Sequence, residues 1–548
     1  MIFMVISWIM ALDIGVWPHI VCSTGLVRIA QTTIMSGTWR VLLLAALAAR
    51  YYFCTQLSYL HPDEFFQSFQ ILYNDNIPWE VQDKAFINRS AFPLFLTHGP
   101  AILIGKYFSL KPLQILLLSR IQMTALSWIV EEWCLYRLIP TKHERIKATL
   151  LAMTSYLTLV HQSHTLSNST ETILLLPTLY IINDIRSYLE MGSDGKRKAK
   201  LPAYSSMKLV WLGLFISIGT FNRITFCAWL IAPAYYLLRY FLACPTRALI
   251  PIISFALTTS MIIYVDSIYY DTLPHLTIAP LNNLIYNTAS ENLAKHGLHS
   301  RFTHIFVNYP QIVGPLLFLI FPFAKSYTAT TTFLSIISGI ITLSIFPHQE
   351  LRFLLPAVPL LSTVVSFGNP RFNFLNKYYR HALSLWMVYT TLLTILYGLF
   401  HQAGVIPAIV EISEHILIPD TSTTTIVFWR TYPPPTWMLN PDFKDPVYVN
   451  KGEKDHIDVT TACGRNSVIT LMGASVPTLR DVYSQLSNCP KGEFQSNTLL
   501  VAPRNAMLNI DNYETIWENF WHLDMDHFEY DIHGIDTFAP GIGIYKLH

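Results

Sequence analysis

Long apolar runs constrain this chain more than any other feature. Runs able, or nearly able, to cross about 30 Å of hydrocarbon fall near residues 41–60, 112–138, 148–163, 171–186, 207–221, 224–243, 248–265, 306–324, 328–346, 351–369 and 383–400. Only 13% of the 548 residues are charged, against about 25% in a soluble domain. Lipid offers backbone polar groups no partner, so such runs must close their own hydrogen bonds as helices. The helical period and the run lengths argue against a β-barrel. The reading is an all-α polytopic membrane protein of about eleven transmembrane helices. A net charge of +2 is too small to suggest nucleic acid as a partner.

After Phe400 the character changes: residues 401–548 carry a triple proline and many Asp, Asn and Thr, and no run able to span. They read as a soluble C-terminal domain of mixed α/β fold, and residues 35–400 as the membrane domain. Residues 1–34 form an N-terminal extension of open status: a signal-like segment, an extra helix or an upstream extension. The short loops 141–147 (TKHERIK), 186–200 (ending GKRKAK) and 369–380 (NPRFNFLNKYYR) are basic and fall on one side by alternate counting, which marks the cytosol. The intervening loops and the C-terminal domain then lie on the opposite, lumenal side. Both glycosylation sequons, at Asn88 and Asn168, land there too. So do Cys463 and Cys489, the only cysteines of the tail, which an oxidising compartment leaves able to pair.

The unusual polar runs gather on that same lumenal side: HPDEFFQS (61–68), NRSAFP (88–93), HTLSNSTE (164–171), FNR (221–223), PLNNLIYN to HSR (280–301), FPHQELR (346–352) and His401-Gln402. Each has a plain structural reading. Asp63, Glu64 and Glu171 could sit in first helical turns. Arg89, Arg223 and Arg352 could snorkel to the interface, and loop histidines have many structural uses. Caps, however, should be spread over both faces. A one-sided cluster of acids, Arg, His and Asn suggests a site at a membrane–water boundary. A transporter would place such groups near the midplane and show internal repeats. No repeat is visible, so a membrane-embedded transferase acting on a lipid-linked substrate fits better.

HPDEFFQS, FNR, NNLIYN, NLAKHGLH, FPHQELRFLLP and TYPPPTW together resemble the dolichyl-phosphate-mannose-dependent mannosyltransferases of glycosylphosphatidylinositol (GPI) and N-glycan assembly, glycosyltransferase family 22, of GT-C fold. NLAKHGLHSRFTH (292–304), FPHQELRFLLP (346–356) and HQAGVIP (401–407) are similar to the branch that adds a fourth mannose. The chain departs from the family at His164, where Arg is usual, and at Glu132, where Asp is usual. The resemblance implies a multi-pass enzyme of the endoplasmic reticulum membrane, working among its lipids with a lumenal active site. It would pass an α-1,2-linked mannose from dolichyl-phosphate-mannose to a trimannosyl GPI precursor, with no cofactor; the alternative is another α-mannosyltransferase with the same donor, adding the third GPI mannose or extending an N-glycan precursor. By side, residue type and resemblance, Asp63 is the expected base, with Glu64 as the alternate. Arg352 and Arg301, supported by His348 and His299, would hold the donor phosphate. His61, Asn282, Asn283, Gln349, Arg89 and Arg223 are candidates for substrate binding. An Arg/His phosphate site makes a metal unnecessary, so none is expected. TYPPPTW (431–437) reads as a rigid turn rather than as catalytic.

Overall fold

The structure is a computed structural model and describes residues 37–73, 78–193, 204–294, 297–317, 330–364, 379–416, 422–439, 447–448, 459, 462–463, 465–489 and 495–547. The N-terminal extension and most of the basic loops at 186–200 and 369–380 lie outside these residues. The chain folds into two compact units. One holds the described parts of residues 1–54, 79–104 and 118–391; the other holds the described parts of residues 55–78, 105–117 and 392–548.

The first unit is helical. Among the described residues, three helices are long and apolar enough to cross a membrane: Pro112–Leu138, Pro245–Tyr269 and His381–Phe400. Ser206–Asn222 and Thr331–Ser344 are shorter apolar helices. Among the described residues the roughly eleven expected spans are not all seen as unbroken helices: parts of the runs at 306–324, 328–346 and 351–369 lie outside those residues, and several other runs fold as broken segments. The run at 148–163 divides into Lys142–Met153, Tyr156–Leu159 and a 3-10 turn, His161–Ser163. The run at 224–243 becomes a 3-10 turn, Ile224–Trp229, and a helix, Ala234–Ala243. Pro233 stands at that second break, where its missing N–H is no loss.

Helices Ser206–Asn222 and Pro245–Tyr269 pack at Gly213, where an added Cβ would fall on the Pro251 carbonyl oxygen. Close approach over small residues is how helices associate where no hydrophobic gain remains. Ser217 and Thr259 hydroxyls join the same two helices at 2.9 Å. Asp266, near the end of the second helix, is buried. Its Oδ1 accepts the Ala91 and Phe92 amides, each at 3.0 Å, at the start of the helix Phe92–Thr97. This acid satisfies orphan donors of a helix start. In the same unit Arg50 and Glu131 form an ion pair of 3.1 Å with both side chains almost wholly buried.

The second unit contains the expected α/β domain. Strands β1 (Ser422–Trp429), β2 (Val447–Tyr448), β3 (Ser467–Met472), β4 (Gln495–Pro503), β5 (Tyr513–Asn519) and β6 (Ile542–Leu547) form one sheet in the order β2-β3-β1-β4-β6-β5. The first four are parallel, while β6 and β5 add antiparallel. Ile426, Val427, Phe428 and Trp429 are all fully buried. That is the continuous apolar signature of a central parallel strand covered on both faces. Cys463 and Cys489 form a disulfide.

The expected division at residue 400 misplaces HPDEFFQS, which belongs with the C-terminal residues. Tyr59 Oη donates to the Pro433 carbonyl (2.7 Å), and Gln70 Nε2 donates to Thr436 Oγ1 (3.0 Å). Phe69 and Tyr73 stack on Trp437 at 4.7 and 5.1 Å. TYPPPTW is thus the rigid bed of this helical segment.

Candidate functional site

In the second unit, the chain turns at Pro62 and helix begins at once: the Phe65 and Phe66 amides both donate to the Pro62 carbonyl at 3.0 Å. Asp63 and Glu64 lie in that first turn, whose partial positive charge favours carboxylates. Glu64 makes no capping hydrogen bond with its side chain. His61 takes part of that task, its Nδ1 accepting the Asp63 amide at 3.1 Å. The bond uses the lone pair of Nδ1, so the 3.4 Å approach of Asp63 Oδ1 to the same atom is not a hydrogen bond. The two acids differ in access. The Asp63 side chain is 20% exposed, whereas Glu64 is fully buried.

Behind this turn stands His401, whose carbonyl accepts the Tyr59 amide at 3.2 Å. Gln402 Nε2 reaches Asp524 Oδ1 (3.4 Å), and Asp524 Oδ2 meets His527 Nδ1 at 2.8 Å. Asp524-Met525-Asp526 is an Asp-x-Asp spacing, whereas the sequence reading found no chelating pair of that kind and took this as one ground for expecting no metal. The first of its carboxylates is committed to Gln402, His527 and the Asp526 amide.

His401 and His522 are both buried. Burial pushes His401 down to about 4, against the raising influence of Asp526, the Leu60 carbonyl and Asp524. Burial likewise pushes His522 down to about 3, against Asp524. In an unfolded chain both titrate near 6.5, so below that pH the unfolded state binds more protons. Stability from these neutral rings is complete above about pH 6.5 and is lost as pH falls toward 4, at roughly 1.4 kcal/mol per pH unit per histidine. Thermal unfolding of the full chain between pH 7 and pH 5 should show this decline. A midpoint that does not move would mean that neither ring is held neutral.

In the first unit, a second cluster joins three breaks in the helices. Arg223 follows the end of Ser206–Asn222 in extended backbone. It donates from Nη1 to Ser167 Oγ (2.9 Å) and from Nε to Thr225 Oγ1 (3.2 Å). Thr225 Oγ1 in turn donates to Glu171 Oε1 (2.7 Å), and Glu171 Oε2 lies 3.7 Å from Arg223 Nε. The Arg223 guanidinium sits 5.0 Å from the centre of the Phe353 ring, and that of Arg352 sits 5.2 Å from it. Arg352 Nε donates to Glu350, which also meets His348 Nε2 at 2.8 Å. His299 lies beside His348, ring centres 5.8 Å apart. Two guanidiniums at one aromatic ring, each with its own carboxylate, make a fixed anion-directed arrangement.

Comparison with known proteins places these clusters in a family. Residues 41–441 match the model of the Alg9-like mannosyltransferase family. The chain belongs to that family. Similar to it are proteins named GPI mannosyltransferase 4. That of Candida albicans is 37% identical, covering 93% of this chain and 98% of that one; that of Saccharomyces cerevisiae is 33% identical, covering 90% and 96%. Among solved structures, ArnT from Cupriavidus metallidurans bound to undecaprenyl phosphate superposes with a TM-score of 0.54 at 12% identity, covering 93% of this chain and 98% of that chain. That likeness is one of fold, and it is the GT-C membrane fold.

Within this mannosyltransferase the expected site residues part company. Arg223, Arg352, His348 and His299 meet in the first unit, while His61, Asp63 and Glu64 share a turn of the second. Gln349 must be corrected. It is buried, and its Nε2 donates to the Arg301, Ser344 and Phe346 carbonyls at 3.1, 3.0 and 2.9 Å, while Oε1 accepts the His304 amide at 2.7 Å. It is a staple between two segments and has no amide left for a sugar. Asn282 donates to the Ile87 carbonyl (2.9 Å) and Arg89 to that of Asn222 (3.4 Å), while Asn283 Oδ1 accepts from Asn287 (3.0 Å). Arg301 is exposed.

The glycosylation sites are also corrected. Asn88 and Asn168 are buried, and Asn168 Nδ2 faces Glu171 at 3.5 Å. A glycan needs room in water, which neither position offers in this fold. The sequence reading missed Glu350, Phe353 and Thr225. A signal for the first was present in part: His348 and Glu350 stand two apart in extended chain and share a face, while Arg352 lies in the 3-10 turn Leu351–Leu354 that follows.

Proposed function

We propose that this chain transfers a fourth, α-1,2-linked mannose from dolichyl-phosphate-mannose to the trimannosyl core of a GPI precursor, on the lumenal side of the endoplasmic reticulum membrane. The observation that carries the chemistry is the accessible carboxylate of Asp63 in the turn behind Pro62. Support for the substrates comes from the relatives named GPI mannosyltransferase 4, similar over about nine-tenths of both chains. A β-linked mannosyl phosphate that becomes an α-mannoside inverts at its anomeric carbon, which one in-line displacement accomplishes. The acceptor 2-hydroxyl oxygen forms the new bond to that carbon and gives its proton to Asp63. The bond to the phosphate oxygen breaks, and its electron pair leaves with dolichyl phosphate. Asp63 need not be strongly basic at rest, because the hydroxyl becomes acidic as the bond forms. The charge that develops on the leaving phosphate calls for fixed cations; the first unit carries such groups at Arg352 and His348, with Arg223 as a further one. No metal takes part.

Microsomes containing the chain, given dolichyl-phosphate-mannose and GPI acceptors of two or three mannoses, test this reading. The trimannosyl acceptor should gain one mannose, removable by an α-1,2-specific mannosidase, and should do so in EDTA. No extension of that acceptor overturns the function. Loss of activity in EDTA that Mn²⁺ restores overturns the metal-free mechanism alone.

A further inference from the structure

His348, Glu350 and Arg352 form one charged row. Glu350 Oε1 lies 2.8 Å from His348 Nε2, and Glu350 Oε2 accepts from Arg352 Nε. The other imidazole nitrogen, His348 Nδ1, lies 3.1 Å from the Gly297 carbonyl oxygen. Both ring nitrogens therefore face acceptors, one a peptide carbonyl and the other a carboxylate. Neither can supply a proton. A neutral imidazole has one N–H and satisfies only one of them, while an imidazolium satisfies both. Arg352 is always protonated. One carboxylate between two cations leaves the row with positive charge in excess.

We infer that Glu350 is a positioning residue that holds His348 as an imidazolium beside Arg352, making the row a receptor for the phosphate of a lipid phosphodiester. The inference rests on the phosphate-donor reading above and names the group on which that reading depends. A phosphodiester carries one negative charge. Cleavage at the sugar carbon leaves a phosphate monoester that also keeps the electron pair of the broken bond. Negative charge grows along the reaction, so fixed positive charge binds the transition state better than the ground state. The Arg352 guanidinium carbon lies over the Phe353 ring, 5.2 Å from its centre.

The surroundings of His348 agree with this role. Burial alone would push the imidazole down, but the hydrogen bond and charge of Glu350, with the Gly297 carbonyl, outweigh burial and Arg352 and hold it above its ordinary value. His299 and His304 also face it, and Arg223 lies across Phe353. His304 is pushed down to about 4, chiefly by burial, and stays neutral at working pH. The charge of His348 is thus present below its raised value and lost as pH rises through it.

Binding of dolichyl-phosphate-mannose to the full chain in lipid–detergent micelles, without acceptor, tests the inference between pH 6 and pH 9. This probe keeps one charge over that range. Wild-type affinity should fall about tenfold as pH rises through the His348 titration, and dolichol, which has no phosphate, should show no such step. Glu350→Gln should move the midpoint about one pH unit lower, and Glu350→Asp should restore most of it. His348→Gln should abolish the step. A wild type without a pH step overturns the inference before any variant is made. So does a midpoint that Glu350→Gln leaves in place, or a step that survives His348→Gln. Acceptor plays no part here. A normal pH step with no mannose transfer would sink the proposed function alone, and transfer without the step would sink this inference alone.

Discussion

Asp63→Asn should lower mannosyl transfer by about 10²–10⁴-fold, the range removed with a general base, while the chain still folds. The local structure explains why folding survives. The His61 bond goes to the Asp63 backbone amide and not to its carboxylate, and the turn closes on the Pro62 carbonyl. Asn keeps the shape of the side chain while removing its charge and its ability to take a proton; the charge lost at the helix start costs about 0.3–1 kcal/mol. The loss should therefore fall on kcat, with the acceptor KM changed little. Glu64→Gln is the informative contrast. Glu64 is fully buried, so its loss should be felt in stability before it is felt in proton transfer. Single-turnover rates at saturating donor separate the two. A fully active Asp63→Asn removes the base assignment, and an inactive Glu64→Gln beside it hands the role to the second acid.

Arg352→Lys should cost about 10²-fold in kcat, although the charge is kept, as expected for loss of one aimed donor at developing charge. Lys has no Nε–H to meet Glu350 and no plane to lie on Phe353. Its compact ammonium would be drawn to Glu350 and leave the phosphate-facing position empty. Initial rates over a range of donor concentrations check this. A variant within twofold of wild type would show that charge alone suffices and that the guanidinium geometry is dispensable.

The class of the protein was legible in the sequence because lipid solubility is an average property of long runs. The breaks within those runs were less so. Residues 224–243 average as apolar as a span, yet they divide at Pro233 into a 3-10 turn and a helix, and an average does not register one proline. The two clusters were legible as residue types on one side of a membrane. Which of those side chains were already occupied was not, because occupancy depends on distant backbone. Gln349 looks like a sugar ligand until its partners prove to be carbonyls of residues 301, 344 and 346. The sequons failed for the same reason, since burial of Asn168 is set by residues outside its tripeptide. The bed under HPDEFFQS was hidden by separation in the chain: Tyr59 and Pro433 are 374 residues apart.

That separation also sets a clock. At about 5–20 residues per second of synthesis, the carbonyl that receives the Tyr59 hydroxyl is made roughly 20–75 s after Tyr59 itself. Until residue 401 is made the turn bearing Asp63 has no His401 behind it, and until residue 437 is made the helix that follows has no Trp437 to stack on. Any chain that stops short of residue 437 would insert its helices and still lack the support of its own carboxylate.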